Sequence, residues 1–103
     1  MKIYDILMNT PIGKRKGELK AKIENGKLNG FLSMFGHTEP IEGTVDENGK
    51  CSLKGKFITL MKSVDFTADG TVDPDIVRLA LKGGDCSYYE IMGQLRKQGG
   101  RDS

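Results

Sequence analysis

The sequence predicts an all-β domain of eight antiparallel strands that follow one another as a simple up-and-down meander. Apolar residues and glycines take every second position through residues 26–57, as in strands, where successive side chains point to opposite faces. Turn dipeptides separate the alternating runs, and the 14 glycines of the chain suit many tight turns. The length of 103 residues fits one domain over residues 1–95, and residues 96–103 are predicted to form a disordered polar tail.

A row of small residues indicates that the sheet is closed or strongly curled into a small barrel. Ala21, Gly30, Gly43 and Gly55 share the inward parity of four successive strands. Glycine inside a strand marks a sharp bend or a close backbone approach, so such a row favours strong curvature. Pairing of the first strand with the last would remove the exposed edges. The result resembles a calycin-like architecture, a likeness that carries over no site residue.

Turn residues predict how the central strands pair. Asn25-Gly26 suits a type I′ hairpin, which needs positive φ at both turn residues, and it aligns Ala21 with Gly30. Gly36-His37 suits a type II′ turn and would align Gly30 with Gly43. A one-residue slip would turn a whole strand inside out, so the agreement of the apolar faces supports these pairings.

The other elements are placed by their turns and alternation. Strand one covers about residues 2–9, and the sequence leaves open which of its faces points inward. The remaining assignments are a basic loop at 14–16, strand two at 17–24, a three-residue loop at either 47–49 or 48–50, one long strand at 58–73, and strands at 76–82 and 86–95.

Composition and charge exclude several classes of function. The 16 lysines and arginines against 14 acidic residues give a net charge of +2, and acidic residues intersperse the basic surface of strands two and five. Nucleic-acid binders carry a larger charge with interleaved aromatic residues. No apolar run approaches the roughly 20 residues of a transmembrane helix. The N-terminus lacks the apolar region of a signal peptide. We therefore expect a cytoplasmic protein with neither nucleic acid nor membrane as partner, while a signal peptide already removed would leave the same sequence.

The residues that most often carry chemistry form no recognisable catalytic or metal-binding pattern. His37 is the only histidine and falls in a predicted turn. Cys51 and Cys86 are too few for a zinc site, which uses about four ligands. We expect reduced thiols in the cytoplasm, and the sequence leaves open whether the two cysteines meet. Because no acid–base pair or activated nucleophile stands at a recognisable spacing, we expect no enzymatic activity, no metal and no cofactor.

Two binding hypotheses remain. The first is an interaction or assembly module that binds a protein partner or a second copy through an outward-facing surface, for which the candidates are Phe31, Phe35 and Pro40. The second is a barrel that binds an apolar small molecule or lipid in its interior. Its candidate lining residues are Leu32, Gly43, Phe57, Lys62, Phe66 and Tyr89. Lys62 has inward parity, and it either lies buried as a functional group or reaches solvent at the rim. A domain this small has little room for a cavity, which favours the first hypothesis.

Overall fold

The computed structural model describes residues 2–10, 13–58, 62–84 and 87–96. Eight antiparallel strands follow in chain order: β1 (Lys2–Thr10), β2 (Gly13–Glu24), β3 (Lys27–Met34), β4 (His37–Val45), β5 (Lys50–Ile58), β6 (Ser63–Val72), β7 (Ile76–Gly83) and β8 (Tyr88–Leu95). Each strand pairs with the next, and β1 pairs with β8, so the sheet closes on itself. The predicted eight-stranded antiparallel meander is confirmed, and it is a closed barrel.

The interior of the barrel is packed with apolar side chains that come from all eight strands. The inward face of β1, which the sequence leaves open, consists of Tyr4, Ile6 and Met8, and Leu7 points outward. Among the described residues no charged side chain is buried, and the hydroxyl of the buried Tyr4 donates to the carbonyl of Asp73 at 3.1 Å. Removal of this apolar surface from water is therefore the main favourable contribution to folding.

Two of the predicted turns have the predicted form. Asn25 and Gly26 have φ values of 51° and 78°, as a type I′ turn requires, and Ala21 pairs with Gly30. Between β4 and β5 the loop consists of residues 47–49, the first of the two alternatives that the sequence leaves open. The pairing of β2 with β3 is therefore confirmed, and the register of β4 with β5 is settled.

The turn between β3 and β4 differs from the prediction. It consists of Phe35 and Gly36, whose φ values of 55° and 78° again correspond to a type I′ turn, and His37 is the first residue of β4. The predicted type II′ turn is wrong, because glycine takes the second turn position here as it does in the preceding hairpin. Gly30 consequently pairs with Ile41, two residues from its predicted partner. A slip of two residues keeps each side chain on its predicted face.

Two segments were assigned to the wrong kind of element. Residues 14–16, predicted as a basic loop, belong to β2 and pair with β1. The segment 58–73, predicted as one long strand, is divided, because Ile58 ends β5 and pairs with Ser63 at the start of β6. Residues 14–16 show no apolar alternation, and their pairing with β1 is what makes them part of a strand. The alternation of side chains continues through 58–73 and therefore gave no sign of the division.

Arg96, directly after β8, attaches the C-terminal end of that strand to β1 and β2. Its backbone N–H donates to the carbonyl of Ile3 at 2.7 Å, and its guanidinium donates to the carboxylates of both Asp5 and Glu18. Asp5 and Glu18 stand directly opposite each other in β1 and β2, where two like charges repel. The hydrogen bond from Arg96 holds the pKa of Asp5 below its usual range. Arg96, assigned to the tail from the sequence, is hydrogen-bonded to the barrel, and the rest of the predicted tail lies outside the described residues.

Candidate functional site

The outward-facing surface predicted from the sequence contains two of its three candidate residues. Phe31 and Pro40 stand directly opposite each other on the outer faces of β3 and β4, and Phe31 is 42% exposed. On its other side Phe31 pairs with Lys20 of β2. Phe35 does not join this surface, because its half-buried ring packs on Phe57 with the ring centroids 5.9 Å apart. The positive φ at Phe35 turns the side chain towards the core, which strand parity does not predict.

A groove in the outer face of the barrel, about 770 Å³ in volume, lies against this pair. We call it the Phe31 groove, and its apolar part consists of Gly30, Phe31, Pro40, Ile41, Gly55 and Phe66. Glycine has no side chain to fill the space, and strands bend readily at it. Gly30 and Gly55, which carry no side chain, therefore contribute to the depth of the groove on the outside of the barrel.

The rim of the Phe31 groove carries charges of both signs. Lys22, Lys54 and Lys56 line it together with Glu42 and Asp65. Lys54 lies 3.9 Å from Glu42, and both side chains are largely exposed. Exposed ion pairs of this kind contribute at most about 1 kcal/mol to stability. The rim therefore offers polar contacts without a strong preference for one sign of charge.

The predicted interior residues form a packed aromatic cluster. Leu32, Phe57 and Phe66 are buried, and Tyr89 is half-buried. The ring of Phe57 lies 5.9 Å from that of Phe66 and 5.3 Å from that of Tyr89, measured between centroids, with the Tyr89 ring edge-on. Aromatic pairs in such arrangements add roughly 0.5–1.5 kcal/mol each beyond their area burial. Side chains thus occupy the space around Phe57.

Gly43 and Lys62, the other two predicted lining residues, do not face an open cavity. A Cβ atom on Gly43 would lie 2.0 Å from the carbonyl oxygen of Ser52 and 2.7 Å from the Cα of Leu53. The missing side chain therefore allows β4 and β5 to approach closely. Lys62 precedes β6 and is exposed, so the alternative that places it in solvent at the rim is the one that the structure supports.

Of the residues considered for chemistry, the structure describes Cys51 and His37. Cys51 is buried in the core, and burial raises the pKa of its thiol to about 11, with a smaller contribution from the charge of Asp69. A protonated thiol is a poor nucleophile. His37 is exposed beside the β3–β4 turn, and Cys86 falls outside the described residues.

Within the described ranges, no group of three or more histidine, cysteine, aspartate and glutamate side chains is arranged to hold a metal ion. In the same part of the chain, no helix is both long enough and apolar enough to cross a membrane.

A second set of exposed apolar side chains was missed by the sequence reasoning. Leu7 and Met92 pair across the β1–β8 closure and are 42% and 55% exposed, and Ile76 lies nearby on β7. The sequence gives one signal of this surface, since β1 is apolar on both of its faces. The surface becomes visible only when closure of the barrel brings β1 beside β8.

Comparisons with known proteins support the fold. No family model matches the chain, and no curated protein matches it. A redesigned β-barrel, mFAP1, solved bound to DFHBI, is similar with a TM-score of 0.66 and 14% identity, over 92% of either chain. The redesigned β-barrel b11L5F_LGL is similar with a TM-score of 0.61 and 14% identity, over 94% of this chain and 90% of that one. At such low identity the likeness concerns the fold alone, and it agrees with the small closed barrel described above.

Proposed function

We propose that this barrel is a non-enzymatic protein-binding module that binds a partner through the Phe31 groove. The observation that carries the proposal is the exposed Phe31–Pro40 pair beside a groove bordered by the glycines of β3 and β5. Exposed aromatic side chains next to a concave surface are typical anchors of protein interfaces. A volume of about 770 Å³ is large enough for several side chains of a partner.

The packing of the interior supports a site on the outside. The Phe57 ring has aromatic neighbours on several sides, and the space at Gly43 is taken by the backbone of β5. Ligand pockets also contain a few polar groups that orient the ligand. Among the described residues, the buried side chains are apolar apart from the hydroxyl of Tyr4, which already donates to the carbonyl of Asp73, and the thiol of Cys51.

The chemistry of the groove is suited to a peptide segment with an apolar anchor between polar residues. The anchor would contact Phe31 and Pro40, and the mixed charges at the rim would contact the flanking polar residues. Such a distribution matches the usual interface, which has an apolar centre and a polar rim.

Selection from a random peptide display library on the native protein tests this proposal. We expect the selected peptides to share an apolar anchor and to bind a Phe31→Asp variant about tenfold or more weakly, since a central aromatic anchor dominates binding energy. The matched control is Tyr88→Asp. Tyr88 is also an exposed aromatic residue on the outer face, but it lies on β8 and is 69% exposed. Equal binding to wild type and Phe31→Asp, or failure to enrich any peptide, would contradict the proposal.

Light scattering on the same variants distinguishes a second copy of the chain from a different partner. If wild type is an oligomer and Phe31→Asp a folded monomer, the partner is a second copy. If wild type and Phe31→Asp are both monomers, the expected partner of the groove is a different protein.

A second candidate function is the binding of an apolar small molecule inside the barrel. The observations that favour it are the half-buried rings of Phe35 and Tyr89 over the Phe57 cluster, and the small molecule DFHBI bound to the structurally similar mFAP1. Saturable uptake of an apolar fluorescent probe by wild type and by Phe31→Asp alike would favour this candidate over the groove.

A further inference from the structure

The outer face at the closure of the barrel carries a second, independent surface. Leu7 and Met92 lie side by side there, and with Ile76 they border a groove of about 870 Å³. Scattered single apolar residues are common on protein surfaces, but a group of large ones on one face marks an interaction site. This surface shares no lining residue with the Phe31 groove.

Two cations stand at the two ends of this apolar pair. Lys16 of β2 is opposite Leu7, and Arg78 of β7 is opposite Met92, so the four residues form one row across four neighbouring strands. We call it the closure row. Strands are spaced by about 4.8 Å, which places the Cα atoms of the two cations up to about 14 Å apart.

Among the described residues, both cations of the closure row are without a carboxylate partner, as are some other surface lysines such as Lys20 and Lys27. Lys54 and Lys56, in contrast, each lie within 4 Å of a glutamate. Both cations line the groove of about 870 Å³. A ligand with two carboxylates and an apolar centre would complement the row in charge and in polarity.

We propose that the closure row binds an amphipathic peptide segment of a partner protein, apolar in its middle and with one carboxylate at each end. In extended conformation about four residues would separate the two carboxylates, since each residue of a strand advances about 3.4 Å. The barrel has no open sheet edge among its paired strands, so side chains and not an added strand would provide the recognition.

The neighbouring charges favour this occupant over an anionic membrane. Glu90 of β8 and Asp69 of β6 lie beside the row and outnumber the neighbouring cation Lys14. Asp5 and Glu18 likewise exceed the single charge of Arg96 that binds them. These carboxylates would repel a uniformly anionic surface, but they leave two placed carboxylates on a peptide free to reach their cations.

The same charges argue against a second copy of the chain as the occupant. A symmetric contact between two closure rows would bring cations against cations, because a two-fold interface uses the same patch on both subunits.

Fluorescence polarisation with synthetic labelled peptides tests the proposal. The probe has a leucine- and valine-rich centre and a glutamate at each end, about four residues apart, and in the comparison peptide lysines replace the glutamates. We expect the glutamate peptide to bind about tenfold or more tightly than the lysine peptide, and to bind more weakly in high salt. The double variant Lys16→Glu/Arg78→Glu should reverse the preference, and Met92→Asp should weaken binding of both peptides.

Two controls separate the closure row from other sites. Tyr88→Asp and Lys27→Glu change exposed residues that line neither groove, and both variants should bind the glutamate peptide as wild type does. Because Lys16, Arg78 and Met92 are on the outer face, circular dichroism should show an intact fold in every variant.

Three results would overturn the proposal. The first is failure of the glutamate peptide to bind wild type. The second is an unchanged peptide preference in the charge-reversed double variant. The third is a wild-type protein that binds neither peptide but binds vesicles of anionic phospholipid, with vesicle binding lost in the double variant. That result would identify a membrane surface as the occupant. Loss of peptide binding in Phe31→Asp would instead assign the peptide to the Phe31 groove.

Discussion

Substitution of Gly43 by alanine tests whether the inward-facing glycines allow close strand approach or leave space for a ligand. The new Cβ would lie 2.0 Å from the carbonyl oxygen of Ser52, and ordinary contacts of a Cβ begin at 3.4 Å. The difference of 1.4 Å must come from separation of β4 and β5. A shift of that size lengthens neighbouring backbone hydrogen bonds beyond their usual range of about 2.7–3.2 Å.

The expected loss of stability follows from three contributions. Overpacking of this kind costs about 1–3 kcal/mol, and each weakened backbone hydrogen bond adds about 0.5–1.5 kcal/mol. Replacement of glycine also restricts the unfolded chain, which offsets about 0.4–1 kcal/mol. We expect Gly43→Ala to lower the free energy of unfolding by about 2 kcal/mol, or the melting temperature by about 8–16 °C for a domain of this size.

Thermal and urea unfolding followed by circular dichroism measures the effect. Gly84→Ala is the matched control, because a Cβ there meets only the carbonyl oxygen of Asp65 at 3.6 Å, and its φ lies outside the left-handed region. The control should unfold within about 0.5 kcal/mol of wild type or be slightly more stable. A melting temperature of Gly43→Ala equal to that of the control would refute the close-approach account and return Gly43 to the candidates for an interior ligand site.

Two further predictions concern the aromatic cluster around Phe57 and the ion pair between Arg96 and Asp5. Phe57→Ala should lower the free energy of unfolding by about 3–5 kcal/mol, because the ring is buried among other aromatic rings; a loss of about 1 kcal/mol or less in urea unfolding would contradict the packed cluster. The pKa of Asp5 is lower in the folded state than in the unfolded state, so its ionised carboxylate stabilises the folded protein. This stabilisation is complete above the ordinary pKa of an aspartate, about 3.9, and it is lost as the pH falls through the lower pKa of the folded state. Urea midpoints measured between neutral and strongly acidic pH should show that Arg96→Ala removes this part of the acid dependence, and an unchanged acid dependence would show that the Arg96–Asp5 contact does not contribute.

The alternation of side chains was sufficient to predict most of the fold. Strand parity assigned Leu28 and Leu53 to the interior and Phe31 to the exterior, and the structure agrees. Parity depends only on the backbone geometry of a strand, so the two-residue slip between β3 and β4 left these assignments unchanged. The turn itself was mispredicted. Phe35 adopts a positive φ, a conformation that glycine and asparagine adopt more readily than phenylalanine, so the sequence gave no reason to place Phe35 in the turn.

The binding surfaces were less accessible from the sequence, since they depend on contacts between distant segments. Leu7 and Met92 are adjacent only because β1 pairs with β8, and no local signal fixes that register. The role of Gly43 depends on the distance to Ser52 in the next strand, which alternation does not report. Phe31 was found because an aromatic residue on a polar face is visible in the pattern of a single strand.

Native mass spectrometry of the purified protein, paired with a denaturing spectrum of the same sample, tests most directly whether binding occurs on the outer face of a barrel with a packed interior. This account predicts that the native protein carries no small molecule, as a monomer or as an oligomer that Phe31→Asp dissociates. A small molecule that accompanies wild type, Phe31→Asp and Met92→Asp alike in the native spectrum, and is lost on denaturation, would contradict it by showing that the interior holds a ligand.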